Sequence, residues 1–293
     1  MRVDGRKRVI VSADDFGLSP AVNEAVEQAH RDGLLGAASL MVAGDAAADA
    51  VRRARRLPRL RVGLHLVLVE GAAVLPPTEI PDIVDAQGRF GSDQVRRGFS
   101  YALSLAARRQ IAREIAAQFA AFSGTGLKLD HANAHKHMHL HPTVGRLLID
   151  VGRAHGLCAV RVPAEPPSVL RACGTGVGIG GRALHAWTRL LRRQARRAGM
   201  VVNDHAFGVA WSGHMTAERL ILLAAHLPDG VSEIYCHPAR RRDAVLESLM
   251  PDYEPAAELA ALTDPAVAAA LQQAGAVLTS YGALALTRRA APP

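Results

Sequence analysis

Aromatic residues make up only 4% of this 293-residue chain, and among its 35 basic residues only Lys7, Lys128 and Lys136 are lysines. The shortage of aromatics, together with the lack of any nucleic-acid-binding motif, argues against nucleic acid as a partner. The net charge of +8 is therefore carried by arginine. Such a surface can meet an anionic membrane, although arginine excess is equally the mark of a GC-rich genome. Cysteine is scarce too. Cys158, Cys173 and Cys236 are too few and too scattered for a disulfide framework or a CxxC zinc site, and they read as small buried apolar residues in a reducing compartment. No run approaches the ~20 apolar residues of a membrane span. The opening "MRVDGRKRVIVSADDFG" has a basic start but too short an apolar run for an export segment, so a cytoplasmic location is expected.

What the chain does have is alternation. "RVIVSAD" (8–14) reads as a strand, and "SPAVNEAVEQAHRDG" (19–33) as a helix with Ser19 as N-cap, Pro20 in its first turn and Gly33 as its stop. Strands at 37–42 and 60–68 flank a helix at 45–57, and a long punctuated loop at 71–98 leads to a helix at 101–122. A strand ending near His135, a helix opening at Pro142, strands at 157–163, 231–238 and 276–281 and a helix at 215–227 complete the pattern. Repeated β-then-α order predicts parallel strands with crossover helices. The expected fold class is α/β: a single-domain (β/α) TIM-like barrel over 1–293, distorted or incomplete, with a basic helical insertion at about 164–203.

Reactive groups in such barrels sit where strands end. The polar outliers fall at those places: Asp14 and Asp15 in "SADDFG", His65 in "VGLHLVL", His135 in "DHANAHKHMHLHP" and His237 in "YCHPA". Each has a plainer reading. A paired aspartate commonly caps a helix, a lone histidine in an aliphatic strand is commonly a satisfied core residue, and a histidine tract can be a low-complexity metal sponge. The interleaved apolar residues and the helix punctuation at Pro142 weigh against the sponge. One carboxylate and two imidazoles, with positions left for water and substrate, are what a catalytic divalent ion requires. A second carboxylate and a late histidine supply the base and acid that hydrolysis needs. By ligand softness the set favours zinc over magnesium.

In these motifs the sequence resembles the YdjC/ChbG-like carbohydrate deacetylases: "SADDFGLS", "VGLHLVL", "HANAHKHMHLHP" and "EIYCHPA" occur in that family's order and approximate spacing. The resemblance implies a metal-dependent N-deacetylase on a distorted (β/α) barrel, holding one divalent ion, with zinc favoured and magnesium also compatible. It implies Asp15, His65 and His135 as metal ligands, Asp14 as general base, His237 as general acid, and Arg161 of "AVRVP" as a basic group orienting base or substrate. The family's Asp-Ser before the metal histidine is Asn133-Ala134 here, so Asn133 has to orient the imidazole. Asn133, His137 and His139 are further candidates for the substrate pocket.

"NAHKHMHLHP", "AASLMVAG" and "AWSGHMT" are most similar to the hopanoid-biosynthesis-associated branch. That likeness implies an N-acetylglucosaminyl lipid of the bacteriohopanetetrol type as substrate. The alternatives are a soluble chito-oligosaccharide, a different barrel metallohydrolase, or a non-enzymatic metal-binding protein. The stretch 181–200 places Leu184, Trp187, Leu191 and Ala195 at helical spacing among Arg182, Arg189, Arg192, Arg193, Arg196 and Arg197. It either packs on the barrel or lies peripherally on the inner membrane surface.

Overall fold

The strand β1 (Lys7–Phe16) is covered on both faces along nearly its whole length, as the centre of a parallel sheet must be. The computed structural model describes residues 6–176 and 179–290, the side chains of 179–186 and 289–290 excepted. After β1 comes α1 (Pro20–Asp32), where the Ser19 hydroxyl accepts from Val22 N at 3.4 Å as the N-cap. β2 (Ala37–Leu40), α2 (Ala47–Arg55) and β3 (Arg61–Leu66) follow in parallel crossover order.

The stretch 71–98 carries structure that its punctuation hid. It contains a short hairpin, β4 (Gly71–Ala72) with β5 (Arg89–Phe90), and most of α3 lies beyond it at Gln94–Leu103. The single helix expected at 101–122 is in fact the end of α3 followed by α4 (Leu105–Gly124). Ser104 divides them because its backbone is extended (ψ 119°) and its hydroxyl caps Ala107 N at 3.1 Å.

β6 (Leu129–Ala134), a 3-10 turn over 135–140 and α5 (Pro142–Ala154) come next, then α6 (Pro167–Ala172), α7 (Ile179–Arg197), β7 (His205–Phe207) and α8 (Ala217–Ala225). β8 (Gly230–Cys236), α9 (Ala244–Leu249), α10 (Pro255–Thr263), α11 (Pro265–Gln273), β9 (Ala276–Leu278) and α12 (Tyr281–Ala290) close the chain.

The main sheet is parallel in the order β6-β3-β2-β1-β8-β7, with β9 paired to the start of β1. It curls into a half-barrel, the distorted TIM-like barrel expected, in one domain. The expected strand at 157–163 is extended but holds its neighbours only by the isolated bridges Ala132–Val160 and Ala159–Val201. Pro163 lacks a ladder donor, and the Asn203 amide replaces the missing strand: Val162 N donates to its Oδ1 at 2.7 Å and its Nδ2 donates to Val162 O at 2.8 Å.

In α7, Leu191 and Ala195 are buried against the body of the protein, while Trp187 is half exposed. Arg192 and Arg196 are engaged with Asp204, at its carbonyl (2.6 Å) and its carboxylate (3.3 Å) respectively. The side chains of Arg182 and Leu184 lie outside the described residues. Among the described residues no helix is long and apolar enough to cross a membrane.

Candidate metal centre and active-site cleft

Adjacent residues of a strand point to opposite sides, so Asp14 and Asp15 can share a cavity only if the backbone turns between them. It does: Asp15 sits at φ 60°, in the left-handed region, with its carbonyl accepting Leu18 N at 2.9 Å. Strain of this kind at a non-glycine residue persists only where its surroundings hold it. The turn brings the Asp15 carboxylate against two imidazoles, His65 Nε2 and His135 Nδ1, each 3.2 Å from its Oδ1. All three side chains are buried, and their ligating atoms lie within 4.8 Å of one another.

The proton positions in this cluster follow from Asn133. Its Nδ2 must face Asp14 Oδ1 at 3.0 Å, so its Oδ1 is left to accept the Nδ1–H of His65 at 2.7 Å. His65 therefore turns the bare lone pair of Nε2 toward Asp15 when it is neutral. Asp15 Oδ2 is buried with no hydrogen-bond partner. Converging lone pairs plus an orphaned carboxylate oxygen fit a divalent cation, so the three residues can hold one.

Asp14 sits beside this triad in a second, fully buried network. Arg161 Nη1 donates to Asp14 Oδ2 at 2.5 Å, its Nε and Nη2 grip both oxygens of Glu233 at 2.9 Å, and its guanidinium lies 4.5 Å over the Tyr235 ring. Ser12 Oγ and Tyr281 Oη also donate to Glu233, at 2.7 and 2.6 Å. Burial alone would raise the Asp14 pKa, but the Arg161 guanidinium together with the neighbouring His65 and His237 outweighs it and holds the carboxyl far below the usual carboxylate range. The same partnership raises Arg161 despite its own burial.

The triad and Asp14 open into a cleft of about 380 Å³ that His137, Tyr235, His237 and Tyr253 also line. His237 is held by its backbone N–H donating to Glu258, its ring stands 5.2 Å from that of Tyr253, and its Nδ1 has no partner. His137 reaches the cleft because Lys136 and His137 both adopt left-handed backbone (φ 49° and 55°), and its Nε2 meets Tyr235 Oη at 3.0 Å. His139 lies behind it, fully buried, donating Nε2–H to the Arg161 carbonyl at 3.0 Å. Burial pushes the His139 pKa down to about 3, so that ring is neutral. Asn133 and His139 thus sit beneath the cleft rather than on its wall.

Glu233, Tyr235, Ser12 and Ser39 were not singled out from the sequence. Glu233 was the most accessible of these, being an acid inside the apolar strand "VSEIYC". Ser39 bridges Asn133 Nδ2 (3.0 Å) to His131 Nε2 (3.1 Å), and His131 Nδ1 in turn meets Asp130 at 3.1 Å.

An acid and two imidazoles at the mouth of a parallel half-barrel, beside an arginine-held second acid, form a candidate site for a divalent ion of the kind barrel hydrolases use. The family model for YdjC-like proteins matches residues 8–273, and the chain belongs to that family. It is 31% identical over 273 residues to a carbohydrate deacetylase of Geobacillus stearothermophilus, covering 93% of this chain and 96% of that one. It is 30% identical over 284 residues to a chitooligosaccharide deacetylase of Serratia marcescens, covering 94% and 98%. A crystal structure from Enterococcus faecalis V583, described as a cellobiose-phosphate cleavage protein, superposes with a TM-score of 0.75 at 23% identity over 95% of this chain and 99% of that one, a likeness of fold.

Proposed function

We propose that this chain removes the acetyl group from an N-acetylglucosaminyl unit carried on a hopanoid (bacteriohopanetetrol) lipid, with Asp14 as base and His237 as acid. The chain is a hydrolase acting on an amide, a carbohydrate deacetylase. The observation that carries the mechanism is the placement of Asp14 and His237 on one cleft with the Asp15–His65–His135 cluster. When bound there, a divalent ion acidifies a water molecule and polarises a carbonyl oxygen.

Asp14 accepts the proton of the attacking water on a carboxylate lone pair left free by its two single donors, Arg161 on Oδ2 and Asn133 on Oδ1. The Arg161 pairing keeps Asp14 ionised, the form in which it can accept a proton. His237 donates a proton to the departing sugar amine. Arg161 and Asn133 fix the Asp14 carboxylate from its two oxygens, so no reorientation is needed during reaction.

The lipid acceptor is supported by a second pocket of about 290 Å³ that shares His135, Glu70 and Leu249 with the cleft. Its wall is largely apolar, built from Leu18, Met41, Val67, Ala72 and Val245. Such a wall suits a hydrocarbon aglycone better than another hydroxylated sugar ring.

The test is amine release from N-acetylglucosaminyl lipid, free N-acetylglucosamine and N,N'-diacetylchitobiose, with and without a chelator. The lipid is expected to be the best substrate and the chelator to abolish turnover, restored by about one equivalent of ion. Preference for chitobiose would overturn the lipid reading and leave a soluble-sugar deacetylase. Several weakly held ions without turnover would leave a metal-storage protein.

A further inference from the structure

We propose that α3 is a membrane-docking ridge that seats the mouth of the cleft on an anionic lipid surface. Its inner face is fixed. Gln94 Nε2 donates to the Lys136 carbonyl at 2.7 Å, Gly98 lies against His141, and buried Tyr101 donates to the Leu68 carbonyl at 2.8 Å. Gln94 also lines the cleft, so the helix stands on its rim. The opposite face carries Val95, Phe99 and Leu103 at intervals of four, with Leu105 beyond the Ser104 break, and these are 65–80% exposed. A helix anchored on one side that presents a row of large apolar groups to water on the other is incomplete as a water-facing surface.

Charge selects the occupant. Arg96 and Arg109 lie exposed beside the ridge with no ion pair among the described residues, whereas Arg97 turns back against Gly91 and Arg108 is held on the carbonyls of Tyr101 and Ala102. Apolar side chains entering the acyl boundary with guanidinium groups at headgroup level is how an interfacial helix binds anionic lipid. A second copy of the chain suits the ridge poorly, because a two-fold pairing would set these arginines against one another. The contrast with α7 is clear: there Leu191 and Ala195 face inward and Arg192 and Arg196 are held by Asp204. The proposal goes beyond the substrate assignment, since it rests on the surface alone.

The test is co-sedimentation of the full chain with vesicles that contain no glycolipid, made of phosphatidylcholine alone or doped with phosphatidylglycerol. Binding to the anionic vesicles is expected, weakening as salt is raised. It should fall about tenfold or more in a Val95→Ser/Phe99→Ser/Leu103→Ser variant and in an Arg96→Glu/Arg109→Glu variant. Both variants should keep the wild-type melting temperature and their turnover of soluble chitobiose. Wild-type protein that ignores anionic vesicles, or variants that bind as well as wild type, would overturn the proposal. So would sedimentation showing a wild-type dimer that the serine variant splits into monomers, which would make the ridge a subunit interface. Because binding is read without substrate, a wrong sugar assignment leaves this result intact.

Discussion

Replacing Asn133 with alanine removes one amide and strands three groups. His65 Nδ1–H loses its 2.7 Å acceptor, and Asp14 Oδ1 and Ser39 Oγ each lose a 3.0 Å donor. Ser39 retains His131, so the cost falls mainly on His65 and Asp14. An unsatisfied buried polar group costs about 1–3 kcal/mol, which puts the loss for those two at roughly 2–4 kcal/mol after partial relaxation. For a chain of 293 residues the unfolding entropy is about 0.6 kcal/mol/K, so the metal-free protein should melt about 3–7 °C lower.

Metal affinity should fall separately, because an imidazole freed from its acceptor no longer holds the tautomer that presents Nε2. Losing such an outer partner typically costs about 10–100-fold. Competition against a chromophoric chelator reads that term, and a melt of the chelator-treated protein reads the other. Asn133→Asp provides the control: it keeps the acceptor for His65 but turns a carboxylate oxygen toward Asp14. It should retain metal better than the alanine variant. Wild-type metal affinity in Asn133→Ala would refute the assignment of His65 as a ligand oriented from below.

Asp14→Asn should keep its metal and its fold, since Arg161 remains paired with Glu233, while turnover drops about 10²–10⁴-fold; metal analysis beside a rate assay checks both. Glu233→Leu leaves Arg161 buried with Asp14 alone and removes a bidentate pair, so a loss of about 3–5 kcal/mol is expected in a denaturant titration. Gly63→Ala would place a Cβ within 2.5 Å of the His131 ring, which Asp130 and Ser39 hold in place; destabilisation of about 1–3 kcal/mol should appear as a lower thermal midpoint.

The parts of the fold that followed from sequence were those set by local chemistry. Ser19 and Pro20 open α1, and the aliphatic run around His65 is a buried strand. What escaped depended on partners distant in the chain. The segment 157–163 has the composition of a strand, but Pro163 and the Asn203 amide give it bridges instead of a ladder. Gln94–Leu103 was masked by Gly91, Gly98 and the paired Arg96 and Arg97, and its apolar row Val95, Phe99 and Leu103 faces water instead of a core. The left-handed backbone at Asp15, Lys136 and His137 carries no glycine to announce it.

The site itself obeys a rule that the motifs only sampled. A strand's side chains repeat every second residue, so whatever lies two positions before a mouth residue points into the same barrel interior. Ser12 precedes Asp14, Gly63 precedes His65, His131 and Asn133 precede His135, and Glu233 and Tyr235 precede His237. Read this way, the four motifs contain a second tier: Ser12, Asn133 and Glu233 bond to members of the mouth or to Arg161, and His131 supports Ser39 beneath them. That tier also accounts for the charge of the site. Asp14, Asp15 and Glu233 are three buried carboxylates against the single guanidinium of Arg161, and ligating imidazoles must be neutral. Two negative charges remain uncompensated in a region screened from water, where isolated charge is most costly. A divalent cation at Asp15 closes that balance; without one, protons on the neighbouring imidazoles take its place, and the Asp14 and Asp15 carboxylates raise the His65 pKa against the effect of burial.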